Sequence, residues 1–367
     1  MTSSAGLDQD PAAGARNLLQ TCAQCREGDR LLIAYEPELH GYFDADVLLS
    51  VETEARSLGL HVTLADVGFE PTRGHLPADL ISVIAEHDVV LFLSRLGDQL
   101  RFSELPDGPR FVVCFASNSH LLGSSFGRAD YEALCRVKYA IDDAIAATRR
   151  IVVTCSNGTE VTGQLPPADA SPRDTSVQRF PMSVFSPVPA DLFSGRVALG
   201  GFLTGTGSQY YEDYSIEFEG RVWALLDSGR LIGFEGSGAD VAKANAHYDR
   251  VAAQFDLDRG FVHSWHAGIH PGCGFPWALR ENFERWGGAA FGNPRVLHFH
   301  TCGAYPPGEI SWNVFDPTIE LDGVRVWEHG RLYPERFAGG AEILNGYPDL
   351  KRLFADPDRE IGLGDVA

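Results

Sequence analysis

The chain has 367 residues, 30 of them Lys or Arg and 50 Asp or Glu, giving a formal net charge of −20. Nucleic acid and anionic membrane surfaces are excluded as partners, because both are bound largely through clustered Lys and Arg and no such cluster interrupts the acidic surplus. With 44% hydrophobic and 22% charged residues, the composition is that of a globular protein long enough for two domains.

The opening MTSSAGLDQDPAAGA has no basic n-region and no apolar h-region. No stretch approaches the roughly 20 apolar residues that span a bilayer, so a cytoplasmic location is expected. The seven cysteines are scattered, which argues against a disulfide framework. Cys22 and Cys25 have zinc-like spacing but no second pair to complete a tetrahedral site.

In chain order, Arg30–Tyr35 (RLLIAY), 61–67, 88–94 and 110–115 read as strands, with helices at Ala45–Ser57 and 77–86 between them. This is βαβ spacing, and the near-continuous apolar strands predict a parallel sheet covered on both faces. Tyr131, Leu134, Val137, Ile141 and Ile145 form one helical stripe. RIVVTC at 150–155 is a further strand, and SNGTEVTG after it reads as a turn followed by a polar edge. The Pro-, Ser- and Asp-rich segment 165–176 reads as the domain boundary. Beyond it, RVALGGFL and YSIEFEGRVWALLDSGRLIGFEG read as short strands with hairpin turns at Glu219-Gly220 and Ser228-Gly229. A helix follows at 239–255, and the hairpin pattern returns at 318–333 with Asp322-Gly323 and His329-Gly330.

The fold class expected is therefore α/β: a mostly parallel αβ sheet domain over 15–165, then a β-rich α+β domain over 177–355. A disordered start at 1–14 and a tail at 356–367 complete the division.

The third glycine of the dinucleotide fingerprint is missing, and no P-loop occurs. Histidines are what stand out, since five of the twelve lie between 261 and 300: His263, His266 and His270 in FVHSWHAGIHPGCG, His298 and His300 in VLHFHTCG. Alternation along a strand puts His298 and His300 on one face, with Leu297 and Phe299 on the core side. Two imidazoles on one strand are a common way to hold a transition metal. SWHAGIHPGCG reads as a loop by its Gly and Pro content. For a carboxylate partner, Glu309 is the nearest acid after the histidine strand, with Asp316, Glu281 and Glu284 as alternatives. Two histidines and a carboxylate with open positions describe both a non-haem Fe(II) oxygenase and a hydrolytic zinc site.

CAQCREGDRLLIAYEP, ALCRVKYAIDDAIAATRRIVVTCSNGTEVTG, the hairpin module and PTIELDGVRVWEHGRL together resemble the aminopeptidase T-type metallopeptidases and their relatives, the 2,5-dihydroxypyridine 5,6-dioxygenases. The likeness runs from about Ala15 to Tyr333. It implies an α/β N-terminal domain, a C-terminal domain holding the metal, and a homodimer or higher homo-oligomer. In the peptidases the loop matching SWHAGIHPGC begins with a glutamate ligand; here His266 stands there, as an iron-ligating histidine does in the dioxygenases. Both branches carry an H-x-D ligand pair before the final hairpin, where this chain has Ser311-Trp312-Asn313. A rearranged ligand set of His266, His298, His300 and Glu309 is expected instead.

The leading functional expectation is a mononuclear Fe(2+) dioxygenase acting on a small aromatic or heteroaromatic substrate. His263 or His270 would serve as acid/base, and Trp265, Phe275 and Trp277 as an aromatic pocket wall. The alternatives are a Zn(2+)- or Mn(2+)-dependent aminopeptidase or amide hydrolase, and a metal-free binding or biosynthetic homologue.

Overall fold

A computed structural model describes residues 9–165, 176–208 and 210–364. The expected boundary at 165–176 lies almost wholly outside these residues. By its contacts the described chain forms two compact units: one from Met1–Cys135, Arg173–Met182 and Gly272–Gly274, the other from Arg136–Pro172, Ser183–Pro271 and Phe275–Ala367. Among the described residues, no helix is long and apolar enough to cross a membrane.

The first unit is built on a parallel sheet of five strands, in the order His61–Asp66, Arg30–Tyr35, Val89–Leu93, Arg110–Cys114, Gln178–Phe180. The first four are the strands expected from the apolar runs, and Val89–Leu93 is buried throughout. The fifth, only three residues long, is too short to register as a pattern. Where Arg30–Tyr35 and Val89–Leu93 end, Glu36 and Arg95 form an ion pair whose side chains are 0% and 3% exposed. The Arg95 backbone N–H also donates to the Glu36 carboxylate, and the guanidinium lies over the Phe69 ring. Order begins before residue 15: Pro11–Arg16 is helical, with the Asp10 side chain capping the Ala13 N–H at 2.9 Å and proline in the first turn.

The second unit has two antiparallel sheets, one of eight strands and one of six. RIVVTC supplies a central strand of the larger sheet, Ile151–Thr154, paired with both Glu160–Gly163 and Thr318–Leu321. The segment read as a polar edge is therefore interior, because Glu160–Gly163 also pairs with Ser194–Leu199. Glu219-Gly220 is a crossover between sheets rather than a hairpin, since Ser215–Glu217 belongs to the smaller sheet and Val222–Asp227 to the larger. The crossover is held by the Asp240 carboxylate, which accepts from the Glu219 and Gly220 N–H groups at 3.1 and 3.0 Å. The turns at Ser228-Gly229, Asp322-Gly323 and His329-Gly330 do close hairpins. Helix Gly238–Phe255 places the buried Tyr248 hydroxyl against Thr301 and Trp312, both at 2.5 Å. The last described residues are fixed as well: Ile361 is buried, and its carbonyl accepts from Trp286 Nε1 at 2.7 Å.

Candidate metal centre

The smaller sheet runs in the order Ser215–Glu217, Phe202–Gly205, Ile310–Phe315, Val296–Thr301, Val262–Ala267, Val188–Pro189. SWHA is thus strand rather than loop, and only Gly268 onward is irregular. Its alternating pattern sorts the chemistry. Register sets Trp265 against Phe299, Phe299 against Trp312 and Trp312 against Leu203, a buried apolar row on one face. The other face pairs His266 with His298 and His298 with Asn313, beside a second row of Ser264, His300, Ser311 and Thr204. Trp265 therefore faces away from the histidines and forms no wall for them. Phe275 and Trp277 pack on each other, and Phe275 bridges to Ile361.

His266, His298 and His300 converge, with one ring nitrogen of each within 4.8 Å of the others. Among the described residues they are the one group of three or more His, Cys, Asp or Glu side chains so placed. His266 Nε2 lies 2.8 Å from His298 Nε2 and 3.2 Å from His300 Nε2. A metal about 2.05 Å from two imidazole nitrogens holds them about 2.9 Å apart at a right angle and about 3.3 Å apart at the tetrahedral angle. The observed separations match these spacings.

The outer partners say which nitrogens carry lone pairs. His266 Nδ1 is 3.1 Å from the Phe185 carbonyl, which only accepts, so the proton sits on Nδ1 and Nε2 points inward as a lone pair. His300 Nδ1 is 3.1 Å from Glu309 Oε1, with the same consequence. Two lone pairs 3.2 Å apart repel unless a cation lies between them. A histidine donating through Nδ1 to a carbonyl or carboxylate is the usual arrangement behind a ligating imidazole. The donor set fits a transition metal. Phe291 stacks on His298 with ring centroids 4.1 Å apart and planes at 19°. Behind it Trp286, Phe202 and Phe315 continue the apolar wall.

The other expected site residues fall outside the three-nitrogen group. Glu309 is 3% exposed and sits behind His300 on the Nδ1 side. Its Oε2 is buried without a hydrogen-bond partner among the described residues. His263 is the extra residue of a β-bulge, a device that re-aims side chains near active sites. Its Nδ1 contacts Ser264 Oγ at 2.9 Å, and its ring tilts against Tyr305. Burial first, then the neighbouring His300, lowers its pKa below the ordinary imidazole value. His270 is fully buried in the turn after the strand, where its backbone N–H donates to Gly292. Asp316 is forked by Arg295 at 2.7 Å through both oxygens, and Glu281 and Glu284 are not among the grouped side chains. Phe291 and Phe185 had no signal in the sequence, since neither lies at a spacing tied to the histidines.

No family model matches the chain, and no curated protein matches it. Among solved structures, it superposes on 2,5-dihydroxypyridine dioxygenase from Pseudomonas putida KT2440 with a TM-score of 0.59 at 13% identity, covering 88% of this chain and 96% of the other. The two chains share a fold. The expected likeness is thereby shown at the level of architecture. Wild-type AmpT from Thermus thermophilus aligns over 88% of this chain and 98% of its own, with a TM-score of 0.49 and 11% identity.

Proposed function

We propose that this protein is a mononuclear metal-dependent enzyme in which His266, His298 and His300 hold the metal, and that its reaction is an Fe(2+)-dependent dioxygenation of a small hydroxylated aromatic or heteroaromatic compound. The observation that carries the reading is the convergence of three Nε2 atoms at 2.8 and 3.2 Å. The shared fold with a dihydroxypyridine dioxygenase supports the oxygenase form of it.

When bound, Fe(2+) would supply open positions for oxygen and a chelating substrate. The chain's own groups do the rest. Phe185 and Glu309 hold the His266 and His300 rings in the tautomer that turns Nε2 inward. Glu309 acts from behind His300 rather than as a ligand itself. Phe291, stacked on His298, keeps water from that side of the site. His263, half-buried on its bulge with a lowered pKa, is neutral near pH 7 and would be the group that accepts a proton.

A second reading has one observation in its favour: the three convergent groups are all imidazoles, and three histidines with an open position also make a hydrolytic zinc site. It predicts a Zn(2+)- or Mn(2+)-dependent amide hydrolase. Anaerobic purification with metal quantification, followed by O2 uptake on hydroxylated pyridines and catechols beside amine release from leucyl amides, separates the two. Zinc or manganese with amide cleavage and no O2 uptake would sink the oxygenase. Full metal content in His266→Ala would sink the ligand assignment in either form.

A further inference from the structure

On the face that carries the histidines, one polar side chain has no evident structural purpose. Asn313 lies directly across the strand pair from His298 and is 0% exposed. Facing residues in an antiparallel pair have their Cβ atoms about 5 Å apart, so the amide is an immediate neighbour of the His298 ring. Ser311 Oγ donates to Asn313 Oδ1 at 3.0 Å, which fixes the amide with its oxygen engaged. The remaining end, Nδ2, is buried and has no hydrogen-bond partner among the described residues. Two N–H donors taken out of water without an acceptor are costly, and native structures keep few such groups without a reason.

The residue type sharpens the point. A neutral amide is a weaker metal ligand than a carboxylate, and its nitrogen, which holds both hydrogens, can only donate. It offers no negative charge that would repel an anion, whereas an aspartate at the same place would offer only acceptors. What the position lacks is an acceptor atom, and beside the three histidines that acceptor is best supplied by a bound molecule.

We infer that Asn313 is an anchor for an oxyanion: its Nδ2 donates to an ionised oxygen, of the phenolate or carboxylate kind, on a small molecule bound at the three-histidine centre. The inference rests on reading those histidines as a metal centre. It deepens that reading by naming the substrate's chemical class, one that presents a negatively charged oxygen beside His298. Asn313 is on this account a positioning residue for the ligand, and Ser311 holds it in place.

The test uses the full chain loaded with Co(2+), whose visible bands report ligand exchange, with 4-nitrocatechol and acetate as oxyanion probes and imidazole as a neutral one. Asn313→Ala is expected to bind Co(2+) as the native protein does, to lose tenfold or more in affinity for both oxyanions, and to keep its affinity for imidazole. If only 4-nitrocatechol is affected, the acceptor is a ring oxygen; if only acetate, a carboxylate. Asn313→Asp, which replaces the donors with a negative charge, is expected to abolish oxyanion binding while tightening Co(2+). Should Asn313→Ala fold poorly, Ser311→Ala leaves the amide in place but unheld, and a roughly threefold loss for oxyanions alone is expected. Equal oxyanion affinity in native protein and Asn313→Ala, or an equal loss for imidazole, overturns the assignment of Asn313 while leaving the metal centre intact. Failure of the native protein to bind Co(2+) stoichiometrically, or binding unchanged in His266→Ala, overturns the centre and the anchor together.

Discussion

Glu309 is where an orienting role and a ligating role predict different numbers. Its Oε1 is 3.1 Å from His300 Nδ1, on the side of the ring away from the other imidazoles. Across the ring and one metal–nitrogen bond, the carboxylate would stand about 7 Å from a metal held by His300 Nε2. A unit negative charge at that distance from a dication is worth roughly 5 kcal/mol at an effective dielectric of about 20. The 13% exposure of the His300 side chain moderates that value. Mutation of such outer partners costs about 10- to 100-fold in metal affinity, or about 1.4 to 2.7 kcal/mol. Glu309→Gln keeps an acceptor oxygen for Nδ1 and removes the charge, so a loss of about tenfold is expected; Glu309→Ala, which also removes the acceptor, should approach 100-fold. The assay is chelator competition with Zn(2+), with far-UV circular dichroism to verify folding. Because Glu309 is buried and its Oε2 lacks a partner among the described residues, the metal-free Glu309→Gln protein should melt no lower than the native one. Unchanged metal affinity in Glu309→Gln would refute the orienting role. A loss as complete as that in His266→Ala would instead make Glu309 a ligand.

Three further outcomes follow from the packing. His247 is buried beside Arg250, and burial first, then that charge, lowers its pKa from 6.5 to about 4. The unfolded chain therefore takes up the proton first, so the stability is fully present above pH 6.5 and is lost as the pH falls toward 4. This amounts to about 3 kcal/mol in urea unfolding, and the dependence should vanish in His247→Gln. Arg95→Met leaves Glu36 as an unpaired buried charge and should cost about 3–5 kcal/mol, whereas the double variant with Glu36→Gln should recover most of it; equal losses in single and double variants would show that the pair's charge is not the cause. At Gly268 an added Cβ would lie 2.2 Å from the Asn293 carbonyl oxygen, so Gly268→Ala should cost about 1–3 kcal/mol and weaken metal binding through the adjoining His266 strand. A native-like melting temperature in Gly268→Ala would show that the backbone there yields.

The parallel half of the fold was legible because buried parallel strands leave long apolar runs, and RLLIAY and DVVLFLS need no partner to be read. Antiparallel strands carry less in themselves. RIVVTC looks like another strand of the same series, yet its neighbour on one side is Thr318–Leu321, far along the chain, and nothing local encodes that pairing. Glu219-Gly220 has hairpin-like turn residues but joins two sheets, because the deciding contact comes from Asp240 on a later helix. Turn chemistry says that the chain bends; where it goes next depends on what it bends around.

The site shows the same division between local and distant information. Period-two alternation alone placed His298 and His300 together, and the same rule applied to SWHA would have set His266 on one face and Trp265 on the other. Glycine and proline at 268–274 give SWHAGIHPGCG the composition of a loop, although its first residues belong to the strand Val262–Ala267. Glu309 is the first acid after the histidine strand, but whether a carboxylate meets a metal or the back of an imidazole is a matter of ångströms that spacing does not carry. Once His266 is known to face His298 and His298 to face Asn313, the absence of an acid at 311 and 313 acquires a physical consequence. On the proposed reading, three neutral imidazoles would leave a bound dication with its full charge, and the buried Glu309 lies behind one of them. Such a centre attracts an anion into its open positions more strongly than one already neutralised by carboxylate ligands. On that reading, a substrate that brings its own negative oxygen is what the ligand set would select.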